Sequence, residues 1–237
     1  MIRLLTFYIC LLFAFTAVGQ RSSVKPVGEC VIQFSNEASG KKIILNDSTY
    51  INSFGEKYNV SKLKYYVSNI HFVTKGKTEP NGIDKNAYLI DAAKENIIKA
   101  KMPAGEVTGI TFLLGVDSIK NCSGAQSGAL DPFNDMFWTW NSGYVMFKLE
   151  GKADSSKADL QRIEQHIGGY KGEYKTMRTV FVPINKMSPT INITANLDKY
   201  WDGINKISIA ETPMTTTVGT NAKKAADNFP GMFSVKD

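Results

Sequence analysis

Short runs of apolar, β-branched and aromatic residues recur along most of the chain, and Gly, Pro, Asn and Asp stand at the breaks between them. Cys30–Ser35 and Lys42–Leu45 read as the first two strands, with Ala38–Lys41 as the turn between them. Leu63–Thr74 (LKYYVSNIHFVT) is the longest run, and Ala87–Asp91, Val107–Val116, Tyr144–Gly151, Thr179–Ile184 and Thr190–Ala195 continue the series. Strands in this succession, without helices alternating between them, predict an all-β fold, an antiparallel β-sandwich with one or two short helices. Asp198–Ile204 is one helix candidate, and Asn221–Asn228 (NAKKAADN) is a stronger one on propensity. No internal repeat or low-complexity linker divides the chain, and Gly151–Asp159 reads as an exposed loop rather than a boundary. Residues 20–237 are therefore expected to form a single domain.

The first 19 residues follow a different rule. Arg3 supplies a short positive region, Leu4 to Val18 is almost wholly apolar, and Ala17-Val18-Gly19 places small residues at the recognition positions of a signal peptidase. Cleavage is expected before Gln20. The apolar run is short for a spanning helix, which needs about 20 apolar residues, and Cys10 sits deep inside it with no lipoprotein cleavage box around it. The expectation is an exported protein, periplasmic or secreted, with no membrane span once the signal is removed.

Composition is that of an ordinary globular protein, with 43% hydrophobic, 21% charged and 11% aromatic residues in 237. A disordered, collagen-like or coiled-coil chain is excluded on that ground. The net charge is +6, but the basic residues are spread along the sequence, so there is no concentrated face of the kind that grips nucleic acid. Cys30 and Cys122 remain after signal removal. In an oxidising compartment such a pair is most simply a disulfide, with two buried thiols or soft metal ligands as the alternatives.

Two segments carry candidate chemistry. In Asn121–Gly151, a Gly-, Ser- and Asp-rich loop runs into Met136-Phe137-Trp138-Thr139-Trp140 and then into a strand led by Gly143-Tyr144. In an extended segment Trp138 and Trp140 share a face. They either anchor the sandwich core or line a ligand site beside the loop. The second segment is Gln165-His166-Ile167-Gly168-Gly169-Tyr170, where two glycines follow one of only two histidines. The other, His71, lies in the Leu63–Thr74 run, where strict alternation puts it with Tyr65, Val67, Asn69 and Val73, opposite Tyr66, Ser68, Ile70 and Phe72. Asp117, Asp131 and Asp135 surround the Gly-rich loop as oxygen donors for a hard ion or as turn-forming residues. No nucleophile elbow, phosphate-binding loop, zinc-protease helix or dinucleotide fingerprint is present, so no enzyme is expected.

Three blocks together resemble the MbnP-like family of secreted bacterial copper-associated proteins: Leu63-Lys64-Tyr65-Tyr66-Val67-Ser68-Asn69-Ile70, then Phe112-Leu113-Leu114-Gly115-Val116-Asp117, then Leu130-Asp131-Pro132 through Met136-Phe137-Trp138-Thr139-Trp140-Asn141-Ser142-Gly143-Tyr144. Tyr88-Leu89-Ile90-Asp91 and His166-Ile167-Gly168 fall where that family has similar elements, and the resemblance spans about residues 28–195. It implies a β-sandwich that binds copper, with His166 as an imidazole ligand and Trp138 or Trp140 converted to kynurenine by a di-haem peroxidase-like partner. His71 enters as the second imidazole only because no other histidine exists, and Met136 and Met146 are thioether substitutes for it. The competing expectation is an extracellular recognition module that binds carbohydrate or a protein partner through exposed aromatics.

Overall fold

The computed structural model describes residues 28–76, 81–139 and 141–236, so the segment read as a signal lies outside the described residues. Two β-sheets face each other. The smaller contains β1 (Gly28–Ala38), β2 (Lys41–Lys42), β6 (Asn96–Met102), β12 (Thr190–Asn196) and β14 (Phe233–Lys236). The larger is built around β4 (Lys57–Thr74), with β3 (Thr49–Ile51), β5 (Asn81–Asp91), β7 (Val107–Leu114), β8 (Phe137–Thr139), β9 (Gly143–Ala153), β10 (Arg162–Gly168), β11 (Arg178–Pro183) and β13 (Met214–Thr215). The helices are short: α1 (Ser118–Cys122), α2 (Asp198–Trp201) and α3 (Thr220–Asp227).

The all-β sandwich expected from the strand pattern is what the chain forms, with mixed rather than purely antiparallel sheets. β1 pairs parallel with β12, Val31 opposite Thr190, and β10 pairs parallel with β13. A parallel pair needs a long crossover, and nearly all of the larger sheet lies in the chain between β1 and β12. Strand composition does not encode that choice. Residues 96–102 and 162–168 also form strands that the pattern did not single out, and the early 42–45 run is a strand only at Lys41–Lys42.

The main core lies between the sheets. Phe34 of the smaller sheet meets Phe112 of the larger edge-on at 5.8 Å, and Phe233 closes on Phe112 at 5.1 Å. Phe147 stacks on Tyr200 at 4.9 Å and on Tyr65 at 6.2 Å. Such aromatic pairs add about 0.5–1.5 kcal/mol each beyond area burial.

The face assignment of β4 departs from strict alternation. Tyr65 and Val67 point into the main core, and so do Ile70 and Phe72, which lie on the opposite parity. Asn69 causes the switch. It takes a left-handed conformation (φ 53°) at a bulge where the register to both neighbours shifts. His71 therefore joins the side of Tyr66 and Ser68, not that of Tyr65 and Val67.

The larger sheet buries its outer face too. A second cluster of Tyr66, Val116, Leu130, Met136, Tyr144, Val145, Met146 and Tyr170 sits there, with Phe137, Trp138 and Met177 packed against it. Its cover is not a sheet but the Gly- and Asp-rich loop, residues 115–139.

Candidate functional site

The loop is tied to the sheet by hydroxyls and ammonium groups. The Tyr66 hydroxyl donates to the Ala129 carbonyl at 3.0 Å, and the Tyr144 oxygen lies 2.8 Å from the Leu130 carbonyl and 3.0 Å from that of Gly124. Burial raises both phenols above the ordinary value, Tyr66 the further of the two, so they stay donors. Lys64 Nζ donates to the Asn134 carbonyl at 3.1 Å. Asn121, fully buried, donates to the Val116 carbonyl and accepts from the Tyr144 amide. Gly143 is in the left-handed region (φ 75°), and a Cβ there would come within 2.4 Å of Asn121 Oδ1. The Gly-Tyr of the aromatic block is thus the hinge and peg of the loop.

The three loop aspartates each do a local job. Asp117 accepts from the Lys120 amide at 2.9 Å and caps α1, and Asp131 accepts from the Phe133 amide at 2.9 Å. Asp135, left-handed at φ 62°, is salt-bridged to Lys62 at 2.8 Å and Lys148 at 3.0 Å. Burial works against its charge, but these two ammonium groups outweigh it and hold the carboxyl below its usual range. They do not form an oxygen cage for a hard ion.

His166 and the seat of Trp138 lie on this face. On β9, Met146, Lys148 and Glu150 point outward while Phe147 and Leu149 enter the main core. Lys148 stands directly between Lys64 of β4 and His166 of β10. Trp138 lies close enough to Gly168 that a Cβ there would come within 2.6 Å of Cζ3 and 2.9 Å of Cη2 of the indole. Gly168 is two residues from His166, across a bulge at Ile167. Trp138 is half-buried and His166 side-chain exposure is 16%. An imidazole and an indole 28 positions apart in the chain thus share one end of one sheet face.

His166 Nε2 lies 2.9 Å from Glu150 Oε1. That contact is the main cause of a Glu150 carboxyl held down at about 2, with Lys62 at 3.1 Å adding to it against the cost of burial. An ionised carboxylate only accepts, so the imidazole donates through Nε2–H. In the neutral ring the lone pair is then on Nδ1.

The remaining candidates lie elsewhere. His71 is seven residues along β4 from Lys64, at about 3.3 Å per residue, and two strands from His166. The two imidazoles cannot share an ion. His71 lines a cleft with Lys85 and Thr179, its Nδ1 3.4 Å from the Asn69 carbonyl. Cys30 is buried on β1 and Cys122 is exposed at the end of α1, and both are free thiols, so the expected disulfide is not formed. Burial raises the Cys30 thiol. Trp140 lies outside the described residues. Among the described residues, no three His, Cys, Asp or Glu side chains gather where one metal ion could reach them, and no helix is long and apolar enough to cross a membrane.

Sequence reasoning missed Glu150 and Lys148, and it marked Gly168 as a turn without the indole that rests on it. The signal was present in part: period two through Tyr144–Gly151 puts Tyr144, Met146, Lys148 and Glu150 on one face, but the pattern does not mark 162–168 as the neighbouring strand.

Comparison with known proteins agrees with this architecture. No curated protein matches the chain. Among solved structures, MbnP from Methylosinus trichosporium superposes with a TM-score of 0.55 at 15% identity, over 73% of this chain and 77% of that one, a likeness of fold. The family model for MbnP matches residues 27–219, which take in both sheets' main strands, the covering loop and the face shared by Trp138 and His166. The chain belongs to the MbnP family.

Proposed function

We propose that the chain is an exported, non-enzymatic copper-handling protein whose site is the outer face of the larger sheet, at His166 and Trp138. The observation that carries this reading is the His166–Glu150 pair, two residues along β10 from Gly168, where Trp138 rests. A histidine that ligates a metal characteristically donates its other ring nitrogen to a carboxylate, which fixes its tautomer and raises its basicity. Here Glu150 accepts from the Nε2–H of His166, which leaves the Nδ1 lone pair of the neutral ring for a soft or borderline metal such as copper, for which imidazole is a suitable donor. Family membership supplies the copper context.

The test is copper binding to the mature chain and to two variants. His166→Ala should abolish tight binding, and Glu150→Gln should weaken it about 10–100-fold, the usual effect of losing an outer-shell partner. Equal affinity in wild type and His166→Ala overturns the site. Oxidation of Trp138 or Trp140 to kynurenine by a di-haem peroxidase-like partner belongs to the same reading. It removes one carbon and adds one oxygen, so the mass of the native peptide spanning 138–140 decides it. Export predicts a native N-terminus at Gln20.

One observation favours a recognition module instead. Phe133 is 99% exposed at the tip of the covering loop, on a turn fixed by Asp131 and Asn134. Large apolar side chains displayed on rigid turns serve as binding anchors. Phe133→Ser separates the readings, because it abolishes partner capture in one and leaves copper affinity unchanged in the other.

A further inference from the structure

The second cluster concentrates thioethers. Met136 and Met146 are fully buried in it and Met177 packs against it from the solvent side, half-buried. Met146 and Met177 meet over Gly115: a Cβ on that residue would stand 3.1 Å from Met146 Sδ and 3.0 Å from Met177 Cγ. Gly115 is in a positive-φ conformation (125°), so both backbone and space keep a side chain out from between them. Met146 Sδ is not merely packing. It accepts a hydrogen bond from the Val116 amide at 3.3 Å, which orients the sulfur and leaves its second lone pair uncommitted.

The position matters as much as the donors. Met146 is two residues along β9 from Lys148, which is directly opposite His166, so Met146 and His166 are diagonal neighbours on the outer face. Diagonal pairs on a sheet are about 7–8 Å apart at the backbone, within reach of long side chains. Trp138 rests on Gly168, the next outward residue after His166.

We infer that Met146 and Met177 form a soft-metal site for a monovalent copper-group cation, Cu(I), at the inner edge of the face that carries His166. Thioether sulfur selects Cu(I) over harder ions. The donors are neutral and Met146 is buried, so the site accommodates one positive charge at far lower desolvation cost than two. The half-buried Met177 is the entry side. The nearby carboxylates do not compete for the ion, because Asp135 and Glu150 are already held by Lys62, Lys148 and His166. This inference rests on the copper reading and names donors that the reading does not.

The experiment is an anaerobic competition titration of the mature chain with Cu(I) against a chromophoric Cu(I) chelator, together with Ag(I) as a redox-inert probe of the methionine methyl resonances. Met146→Leu/Met177→Leu should lower Cu(I) affinity at least tenfold, and Ag(I) should shift the two methyl signals in the wild type. Leucine conserves volume, so the fold is expected to persist. If the double variant does not fold, the wild-type methyl shifts decide. Wild-type affinity in a folded double variant, with loss only in His166→Ala, overturns the thioether site and leaves copper handling standing. Metal binding that moves neither methyl signal also overturns it. A wild-type chain that takes up no Cu(I) removes both the inference and the reading beneath it.

Discussion

The two hydrophobic cores on either side of the larger sheet are built from different materials. The main core is rich in isoleucine (Ile32, Ile98, Ile110, Ile163 and Ile193 among others) and is closed by two facing sheets. The outer cluster has no isoleucine; tyrosine, methionine, Phe137 and Trp138 dominate it, and a loop closes it. β-branched side chains have few rotamers and fill a pleated surface, which suits a rigid interior. Thioethers and polar-tipped aromatics adapt their shape, and their oxygen and sulfur atoms can bind the carbonyls and amides that a covering loop leaves unpaired. One side of the sheet is packed for rigidity, and the other is closed by side chains that adapt to a loop.

Adjacent residues on β9 give the sharpest way to break that contrast. Phe147→Ala, facing the main core, should cost about 3–5 kcal/mol of unfolding free energy, whereas Met146→Leu, facing outward, should cost less than about 1.5 kcal/mol. Urea denaturation of the two variants checks this, and equal losses would erase the distinction. Next in size is the acid response of the outer face. Glu150 titrates at about 2 in the folded chain against an ordinary 4.5, and its side chain is 24% exposed. A depressed carboxyl contributes stability that is complete above its unfolded pKa and is lost as pH falls towards the folded one. Stability should therefore decline between about pH 4.5 and 2, by an amount on the order of 1–3 kcal/mol. Glu150→Gln should flatten that part of the urea-midpoint profile, and a variant profile as steep as the wild type would assign the loss elsewhere.

Gly168→Ala probes the seat of the indole. Its methyl group would overlap the Trp138 ring, so the ring must move, at about 1–3 kcal/mol. A shift in tryptophan fluorescence and weaker copper binding are expected together, and an unchanged spectrum would show that Trp138 does not rest there. The smallest effect belongs to the rim. Phe133→Ser should change stability by less than about 0.5 kcal/mol, since the ring buries almost nothing.

Alternation and turn chemistry are enough to locate seven of the eight expected strand segments and two helices, because a half-buried strand needs period two and a turn needs residues that tolerate it; Lys42–Leu45 is the exception, a strand only at its first residue. The same local logic failed at Asn69, where a single bulged residue moved His71 to the other face. It also passed over β10: Arg162, Glu164 and His166 make its outer face polar, so the strand shows no run of apolar residues. Trp138, His166 and the Gly-Tyr turn were legible as candidates from their rarity and spacing. Their convergence was not, and neither was the role of Glu150, whose contact with His166 is made across neighbouring strands.

The sequence by itself determined an all-β chain with an apolar run in its first 19 residues, a loop crowded with glycine and aspartate, and scarce imidazole and indole groups. These follow from local propensity and composition, which act over a few residues. Tertiary structure alone decided that β1 would pair parallel with β12, that both cysteines would stay free, and that Nε2 of His166 would face Glu150. It also carried His71 away from that site and packed the Met146 and Met177 side chains against Gly115. Those outcomes depend on register and on which strands become neighbours, and both are set by the packing of the whole chain.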